Sequence, residues 1–329
     1  MQRNESEIKI FAGSYGIPFA KRMCDYLGVE LGSSEVIHFS DGNTFVRIKE
    51  MVRDKDVYLV ESIGMDPNNS FAEILFWLDA FKRASANSVT CVIPYFSYAK
   101  GDKKDEPRVS IRARVCADSI ELAGADRVIM LDLHSPQVQG FFKIPLDHLT
   151  AMPILSEYAK KRGLIDENTV IVSPDAGFAK DARKYAEYLD LKLAIGDKSR
   201  VDHSERAKCM NIFGDVEGKN CVIVDDFSLS AGTLKEVAVA LKQKGAKHIY
   251  AFLSHIVLTE KGVNTIENES PIELLIGTDS VVNSNILKSD MIEVVSIAPL
   301  FGEAVKRIHT RTSIGEMFKK IPPKVLEEL

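Results

Sequence analysis

The segment Val222–Leu234 combines acidic, hydroxyl and glycine residues in an order suited to binding a sugar phosphate. An apolar strand runs into Asp225 and Asp226, whose carboxylates can accept hydrogen bonds from sugar hydroxyls or hold a cation. The small and hydroxylated residues that follow are Ser228, Ser230, Ala231, Gly232 and Thr233. Backbone N–H groups at the start of the next helix, with hydroxyl donors and the close approach that glycine permits, form an anion cradle. The alternative is a strand-to-helix turn in which a hydroxyl only caps the helix, although a cap needs no adjacent acids.

A histidine ends another apolar stretch, Ile129–His134. The strand period of two places Asp132 and His134 on one face at the end of this strand. A neutral imidazole at a strand end can ligate a metal. The residues alone favour a hydrogen-bonded structural histidine instead.

Two segments carry clustered charge after predicted strands. Lys198 and Arg200 follow the apolar run Leu193–Ile195, and on composition alone they belong to a solvated loop. The second segment, Lys100–Arg108, follows an apolar strand and is typical of an exposed, mobile charged loop.

The elements around these residues alternate between short apolar runs and helical patterns. In the second half the predicted strands are 170–172, 193–195, 221–224 and 249–253, and the predicted helices are 178–189 and 234–244. Strands of this kind interleaved with helices indicate a parallel sheet covered on both faces. Ligands then bind where the loops at the carboxyl ends of the strands converge.

Self-similarity indicates that one fold occurs twice. Three segment pairs recur in the same order at offsets of 160 to 164 residues: Ala20–Leu27 with Ala182–Leu189, Asp56–Glu61 with Asn220–Asp225, and Ala80–Ala86 with Ala240–Ala246. No linker separates the halves, and Met152–Pro153 is the best boundary.

Composition places the chain among ordinary globular proteins. It has 329 residues, 42 basic and 47 acidic side chains and a formal charge of −5, which suggests two domains and gives no basic excess for nucleic acid. The N-terminal residues are too polar for a secretory signal, and no apolar run approaches a membrane span. We therefore expect a cytoplasmic protein that binds neither nucleic acid nor membrane.

Scattered cysteines and a single tryptophan are expected in the core. The chain has neither a Cys-x-x-Cys pair nor an even cysteine number, so neither a disulfide framework nor a zinc ribbon is indicated. The cysteines are Cys24, Cys91, Cys116, Cys209 and Cys221. Trp77, within Ile74–Leu78, is predicted to be helix core.

Asp225–Thr233 resembles the phosphoribosyl-binding loop of phosphoribosyltransferases and of ribose-phosphate diphosphokinases, also called PRPP synthetases. The second family fits better, because the resemblance extends over nearly the whole chain. The other matching segments are Phe39–Gly42, Ile93–Ala99, Gly124–Val128, Asp132–His134, Gln139–Phe142, Ser173–Asp175 and Ser296–Leu300.

The resemblance implies an α/β fold with two tandem phosphoribosyltransferase-like domains, each a mainly parallel sheet flanked by helices. Residues 1–150 would form the N-terminal domain, with a degenerate loop, nucleotide contacts and the oligomer interface. Residues 151–300 would carry the ribose 5-phosphate loop, and residues 301–329 would pack back on the N-terminal domain. The implied reaction is magnesium-dependent transfer of the diphosphoryl group of ATP to ribose 5-phosphate, giving PRPP and AMP.

The same resemblance assigns roles to individual residues. Lys198 and Arg200 match a catalytic Lys-x-Arg pair that stabilises charge on the transferring phosphoryl group. His134 and Asp175 match the metal-associated residues, and the resemblance reverses the structural interpretation of His134. The nucleotide contacts implied are Phe39, Asp41, Asn43, Lys100, Asp102, Lys104 and His134. On pattern alone Phe39 is equally well a core residue.

Four departures from the family pattern bear on activity. Leu229-Ser230 stands where the family usually has Asp-Thr, so the loop lacks one acid. Lys100-Gly101 replaces Arg-Gln and removes a planar fork that binds phosphate bidentately. Asn43 replaces a common Glu, and Ser199 a common Arg.

Three hypotheses therefore stay open: an active PRPP synthetase, a catalytically weak regulatory homologue that binds nucleotide and an active subunit, and a salvage-type phosphoribosyltransferase. The first is favoured because the principal site residues occur together. The resemblance also implies a dimer-based homohexamer regulated by ADP and phosphate. Thr310–Ser313 would help to bind that phosphate, or form an ordinary exposed turn.

Overall fold

The computed structural model describes residues 8–199, 209–317 and 321–329, with only the backbone of Lys198, Ser199 and Cys209. The chain divides into two compact units. Unit 1 contains the described residues up to Thr150 together with Ser280–Val282 and Ser296–Glu328. Unit 2 contains the described residues of Ala151–Asp279 and Asn283–Val295.

Unit 1 is built on a parallel five-stranded sheet in the order β1-β4-β5-β6-β7. Its strands are β1 (Lys9–Ala12), β4 (Asp56–Val60), β5 (Ser88–Ile93), β6 (Arg127–Leu131) and β7 (Leu146–Leu149). Its helices are α1 (Ile17–Leu27), α2 (Pro67–Arg83), α3 (Arg112–Ala123), α8 (Ala298–Thr310) and α9 (Pro323–Glu327), with 3₁₀ turns at Ser97–Gly101 and Pro136–Phe141. The strands are apolar and mostly buried, as in a sheet covered by helices.

A separate two-stranded hairpin belongs to unit 1. Strands β2 (Ser34–His38) and β3 (Thr44–Ile48) pair antiparallel. Val36, Val46 and Ile48 alternate along the strands and pack against the core of the unit. The turn of this hairpin therefore projects Phe39, Asp41 and Asn43 away from the core.

Unit 2 is built on a seven-stranded sheet in the order β10-β9-β8-β11-β12-β13-β14. Every pair of neighbours in it is parallel except β9 with β10. The strands are β8 (Thr169–Ser173), β9 (Lys192–Ser199), β10 (Cys209–Phe213), β11 (Asn220–Phe227), β12 (His248–His255), β13 (Leu274–Thr278) and β14 (Ile292–Val295). The helices are α4 (Met152–Lys161), α5 (Ala179–Leu189), α6 (Gly232–Gln243) and α7 (Glu260–Asn264), with a π turn at Thr265–Glu269 and a 3₁₀ turn at Ser284–Ile286.

The cores follow the apolar pattern of the sequence. Trp77 is fully buried and stacks on Phe81, which confirms its predicted place in a helix core. Four of the cysteines, Cys24, Cys91, Cys116 and Cys221, are buried and free, as expected of small core residues. Within the described ranges, no helix has both the length and the apolar content needed to cross a membrane.

Candidate functional site

The predicted sugar-phosphate loop lies between β11 and α6 in unit 2. Asp225 and Asp226 are the polar end of β11, and their carboxylates accept hydrogen bonds from the next backbone amides, Asp226 N at 3.0 Å and Phe227 N at 2.8 Å. Ser228 Oγ accepts from Ala231 N at 3.1 Å, which tightens the loop. Helix α6 begins at Gly232, so the amides of its first turn, which includes Thr233, are directed out of the helix towards the loop.

The left-handed residue of this loop is Ala231, with φ of 56°. Gly232 does not have this conformation, and a methyl group built on it would lie 3.5 Å from Ser230 Oγ. The space above Gly232 is therefore open, which agrees with close approach by a ligand. The cost of about 1 kcal/mol or more for a non-glycine residue in the left-handed region falls on Ala231, which is fully buried in the core of unit 2.

Leu229 is held by its backbone and exposes its side chain. Its carbonyl oxygen accepts hydrogen bonds from Thr259 N at 2.9 Å and Thr259 Oγ1 at 3.1 Å. A methyl group built on Gly262 would collide with the same oxygen, so glycine there lets α7 approach the loop. The Leu229 side chain is 47% exposed. The loop thus keeps a defined backbone although the family acid is missing.

Two neighbouring acids affect the titration of Asp225 in unit 2. Burial raises the pKa of Asp225 well above its ordinary value, and the carboxylates of Asp226 and Asp175 add to the shift. Asp175 is exposed after β8, and its Oδ1 accepts from Phe178 N at 3.0 Å at the start of α5. A cation or a hydroxyl donor would relieve the repulsion at this strand end.

The expected loop around Lys198 is instead a strand. Strand β9 continues to Ser199 and pairs antiparallel with β10, with Lys198 opposite Met210. Beyond Ile195 the parallel pairing with β8 has ended, and β9 and β10 form a two-stranded ribbon. The sequence did not predict this part of the strand, because Asp197–Ser199 are polar and do not alternate with apolar residues. Arg200 lies outside the described residues.

The prediction that Asp132 and His134 lie on one face at the end of a strand is wrong. Strand β6 ends at Leu131, and Asp132 adopts a φ of 31°, which breaks the extended alternation before His134. Leu133 N donates to Nε2 of His148 at 2.8 Å, and Ser135 Oγ donates to Asp102 Oδ2 at 2.6 Å. The His134 side chain is exposed on the turn between these two contacts. The turn therefore links two residues of the predicted nucleotide set, Asp102 and His134.

The hairpin turn carries the other predicted nucleotide residues. Phe39 is 49% exposed, which excludes the alternative of a core residue. Asp41 Oδ1 accepts from Asn43 N at 3.0 Å, and Phe39 N donates to the Asn43 carbonyl at 2.8 Å. At the base of the turn, the His38 ring lies between Ser14 Oγ at 3.2 Å and Thr44 Oγ1 at 3.1 Å.

The charged segment after β5 is partly helical. Lys100 and Gly101 belong to the 3₁₀ turn, and Gly101 is buried, so the exposed loop begins only after Asp102. Lys100 Nζ lies 5.8 Å from the centre of the Tyr95 ring. Lys104 is exposed in the segment that follows.

A pair of buried acids in unit 1 was missed by sequence reasoning. Glu61 and Glu73 are 0% and 1% exposed, and they accept backbone hydrogen bonds from Tyr15 N at 3.1 Å and Ser14 N at 2.8 Å. Burial, with the nearby Glu73 carboxylate, raises the pKa of Glu61 well above its ordinary value. The repeat supplied a signal, because Glu61 is the counterpart of Asp225.

Comparison with known proteins identifies the relatives of this architecture. A family model described as the N-terminal domain of ribose phosphate pyrophosphokinase matches residues 8–124, and a model described as a phosphoribosyl synthetase-associated domain matches residues 198–319. The ribose-phosphate pyrophosphokinase of Clostridium tetani is 43% identical over 319 residues, which cover 97% of this chain and 99% of that protein. That of Fusobacterium nucleatum is 39% identical over 315 residues, 96% of this chain and 99% of the relative.

The chain belongs to the ribose-phosphate pyrophosphokinase family. The crystal structure of phosphoribosylpyrophosphate synthetase from Mycobacterium smegmatis aligns with a TM-score of 0.86 and 32% identity, covering 92% of this chain and 99% of that one. These matches confirm the family resemblance and the α/β fold with two phosphoribosyltransferase-like domains.

Proposed function

We propose that the chain is an active ribose-phosphate diphosphokinase, which transfers the β,γ-diphosphoryl group of ATP to O1 of ribose 5-phosphate and releases PRPP and AMP. The observation that carries the proposal is the loop of unit 2, where two strand-end carboxylates precede a tight turn and the first turn of α6. The 5-phosphate would accept from the α6 amides and from the hydroxyls of Ser228, Ser230 and Thr233. The carboxylates of Asp225 and Asp226 would accept from the sugar hydroxyls.

The nucleotide is assigned to residues of unit 1. Phe39 offers an exposed ring for stacking on the base, and Asp41 and Asn43 offer acceptors for its amino group. Lys100, Asp102, Lys104 and His134 would meet the polyphosphate. The coupling of Asp102 to the His134 turn through Ser135 supports this grouping.

The reaction brings anions together and therefore needs cationic side chains. Two unit charges about 4 Å apart at an effective dielectric near 20 interact by about 4 kcal/mol. We assign Lys198 and Arg200 to the charge that develops on the transferring phosphoryl group.

Magnesium is the proposed cofactor. The exposed Asp175 carboxylate offers the oxygen donor that Mg²⁺ prefers, and it contributes to the raised pKa of Asp225. His134 of unit 1, which is exposed, is the other residue proposed to bind magnesium. Bound magnesium would neutralise phosphate charge.

The second candidate is a catalytically weak regulatory homologue, which Leu229 and Gly101 favour because each removes a polar side chain common in the family. A salvage-type phosphoribosyltransferase is the least favoured. We also propose a dimer-based homohexamer with a phosphate and ADP site that involves Thr310–Ser313. The cytoplasmic location stays a prediction.

A coupled assay of AMP release separates these functions. The proposal expects AMP that depends on ATP, ribose 5-phosphate and Mg²⁺ together. Absence of AMP at every phosphate concentration, with ATP binding intact, would indicate the regulatory homologue. PRPP consumption that depends on a free base would indicate the phosphoribosyltransferase. Lys198→Ala should lower kcat by orders of magnitude while the Kd for ATP changes little, since the role of Lys198 is in the transition state.

A further inference from the structure

Arg112 occupies an electrostatically unfavourable position in unit 1. It is the first residue of α3, where the helix dipole is positive, and the first turn of α3 contains no acid. Its side chain is exposed, and within the described ranges of the chain no carboxylate pairs with it. Arg114, on the same helix, differs in this respect, because it pairs with Asp118 at 2.6 Å. Because Arg112 has no acidic partner among the described residues and lies at the positive end of a helix, its position favours the binding of an anion.

Gly101 makes room for this guanidinium. A methyl group built on Gly101 would lie 2.7 Å from Nε and 3.3 Å from Cζ of Arg112. The Arg112 side chain therefore lies across the glycine, in space that any other residue at position 101 would claim. Gly101 stands between Lys100 and Asp102, which are both in the predicted nucleotide set.

The sequence departs from the family at this point, where the usual Arg-Gln is replaced by Lys100-Gly101. Lysine is a point charge, whereas the arginine guanidinium is a planar fork that binds two phosphate oxygens at once. Arg112 of α3 lies against Gly101, which is adjacent in sequence to position 100, where the fork was lost.

We propose that Arg112 is a binding residue for the polyphosphate of the nucleotide and acts together with Lys100 across Gly101. This inference rests on the proposed function, because it takes ATP as the ligand. On this inference, Arg112 supplies the guanidinium that the family usually has at position 100. The inference also predicts that Arg112 distinguishes ATP from AMP, since its contact is with the β- and γ-phosphates.

Calorimetric titration of the full chain with ATP and with AMP, in the presence of Mg²⁺, tests the assignment. Arg112→Ala should raise the Kd for ATP about 10- to 100-fold, the usual effect of losing charge-assisted hydrogen bonds. The Kd for AMP and the KM for ribose 5-phosphate should change less than twofold. Arg112→Lys should lie between the wild type and Arg112→Ala, because it keeps the charge but not the fork.

Two further variants make the result decisive. Arg83→Ala removes an exposed arginine of the same unit that pairs with Asp79 at 2.7 Å, and it should leave all these constants unchanged. Adding Lys100→Arg to Arg112→Ala should recover at least part of the ATP affinity. If Arg112→Ala binds ATP as tightly as the wild type, the inference is overturned. Because binding is measured without turnover, a chain that releases no AMP would refute the proposed function while leaving this comparison valid.

Discussion

Replacing Glu61 by glutamine should stabilise unit 1 at neutral and alkaline pH. Glu61 and Glu73 are both buried, and a methyl group built on Gly13 would collide with Glu61 Oε2 and lie 2.9 Å from Glu73 Oε1, so the two carboxyl groups are close neighbours. Within the described residues, no cationic side chain bonds to either group. Glutamine keeps an oxygen that can accept from Tyr15 N and removes the charge.

The sign follows from the raised pKa of Glu61 in the folded protein. Below the ordinary glutamate pKa, about 4.3, the carboxyl is protonated in the folded and unfolded states, so the difference in stability between wild type and Glu61→Gln should not change with pH. Above it the unfolded chain releases a proton that the folded chain retains, so wild-type stability falls by about 1.4 kcal/mol per pH unit until the folded pKa is passed. For a structural unit of this size, each pH unit in that range corresponds to a difference of about 2–6 °C between the Tm of the wild type and that of Glu61→Gln.

The assay is urea or thermal unfolding followed by the fluorescence of Trp77. This residue is the single tryptophan of the chain, lies in unit 1, and donates from Nε1 to Glu73 Oε1 at 3.1 Å, so it reports on the acid pair directly. Glu106→Gln, which removes an exposed acid of the same unit, is the matched control. Its difference in stability from wild type should not increase with pH. Wild-type and Glu61→Gln curves that stay parallel from pH 5 to pH 9 would refute the reasoning.

Three further predictions concern the loops that hold the site. Gly262→Ala should displace the Leu229 carbonyl and raise the KM for ribose 5-phosphate about tenfold or more; Gly140→Ala, where a methyl group meets nothing within 4 Å, is its control, and an unchanged KM would contradict the anchoring role. Leu229→Asp should lower that KM if the family acid is simply missing, whereas loss of activity would mean that the loop depends on leucine. His148→Leu should raise the Kd for ATP and speed hydrogen exchange of the Leu133 amide, while His148→Gln, which keeps an acceptor, should restore both; equal behaviour of the two variants would exclude the hydrogen bond as the cause.

The regular elements of unit 2 were accessible from apolar periodicity. The predicted strands 170–172, 221–224 and 249–253 lie within β8, β11 and β12, and the predicted helices correspond to α5 and α6. These strands are buried on both faces, so continuous apolar runs mark them. The ribbon half of β9 was missed because its residues are polar and it pairs on one side only.

Site features that depend on tertiary contacts could not be predicted. The turn at Asp132 is set by pairing with β7, since Asp132 N donates to the Leu149 carbonyl at 3.0 Å, and by the His148 ring. Neither partner is adjacent in sequence. In the same way, the place of Arg112 over Gly101 follows from the packing of α3 against the 3₁₀ turn, whereas sequence alone presents Gly101 as a missing side chain.

The duplicated halves use corresponding acids in opposite ways. In unit 2, Asp225 ends partly exposed beside a loop whose first-turn amides are directed outward, so an external phosphate can complete the site. In unit 1 its counterpart, Glu61, is fully buried, and amides of the loop between β1 and α1 already donate to Glu61 and Glu73. The loop between β1 and α1 of unit 1 therefore binds carboxylates of its own chain. Burial both withholds Glu61 from an external ligand and, with the nearby Glu73 carboxylate, raises its pKa, so the position that lies beside the loop in unit 2 makes the stability of unit 1 depend on pH.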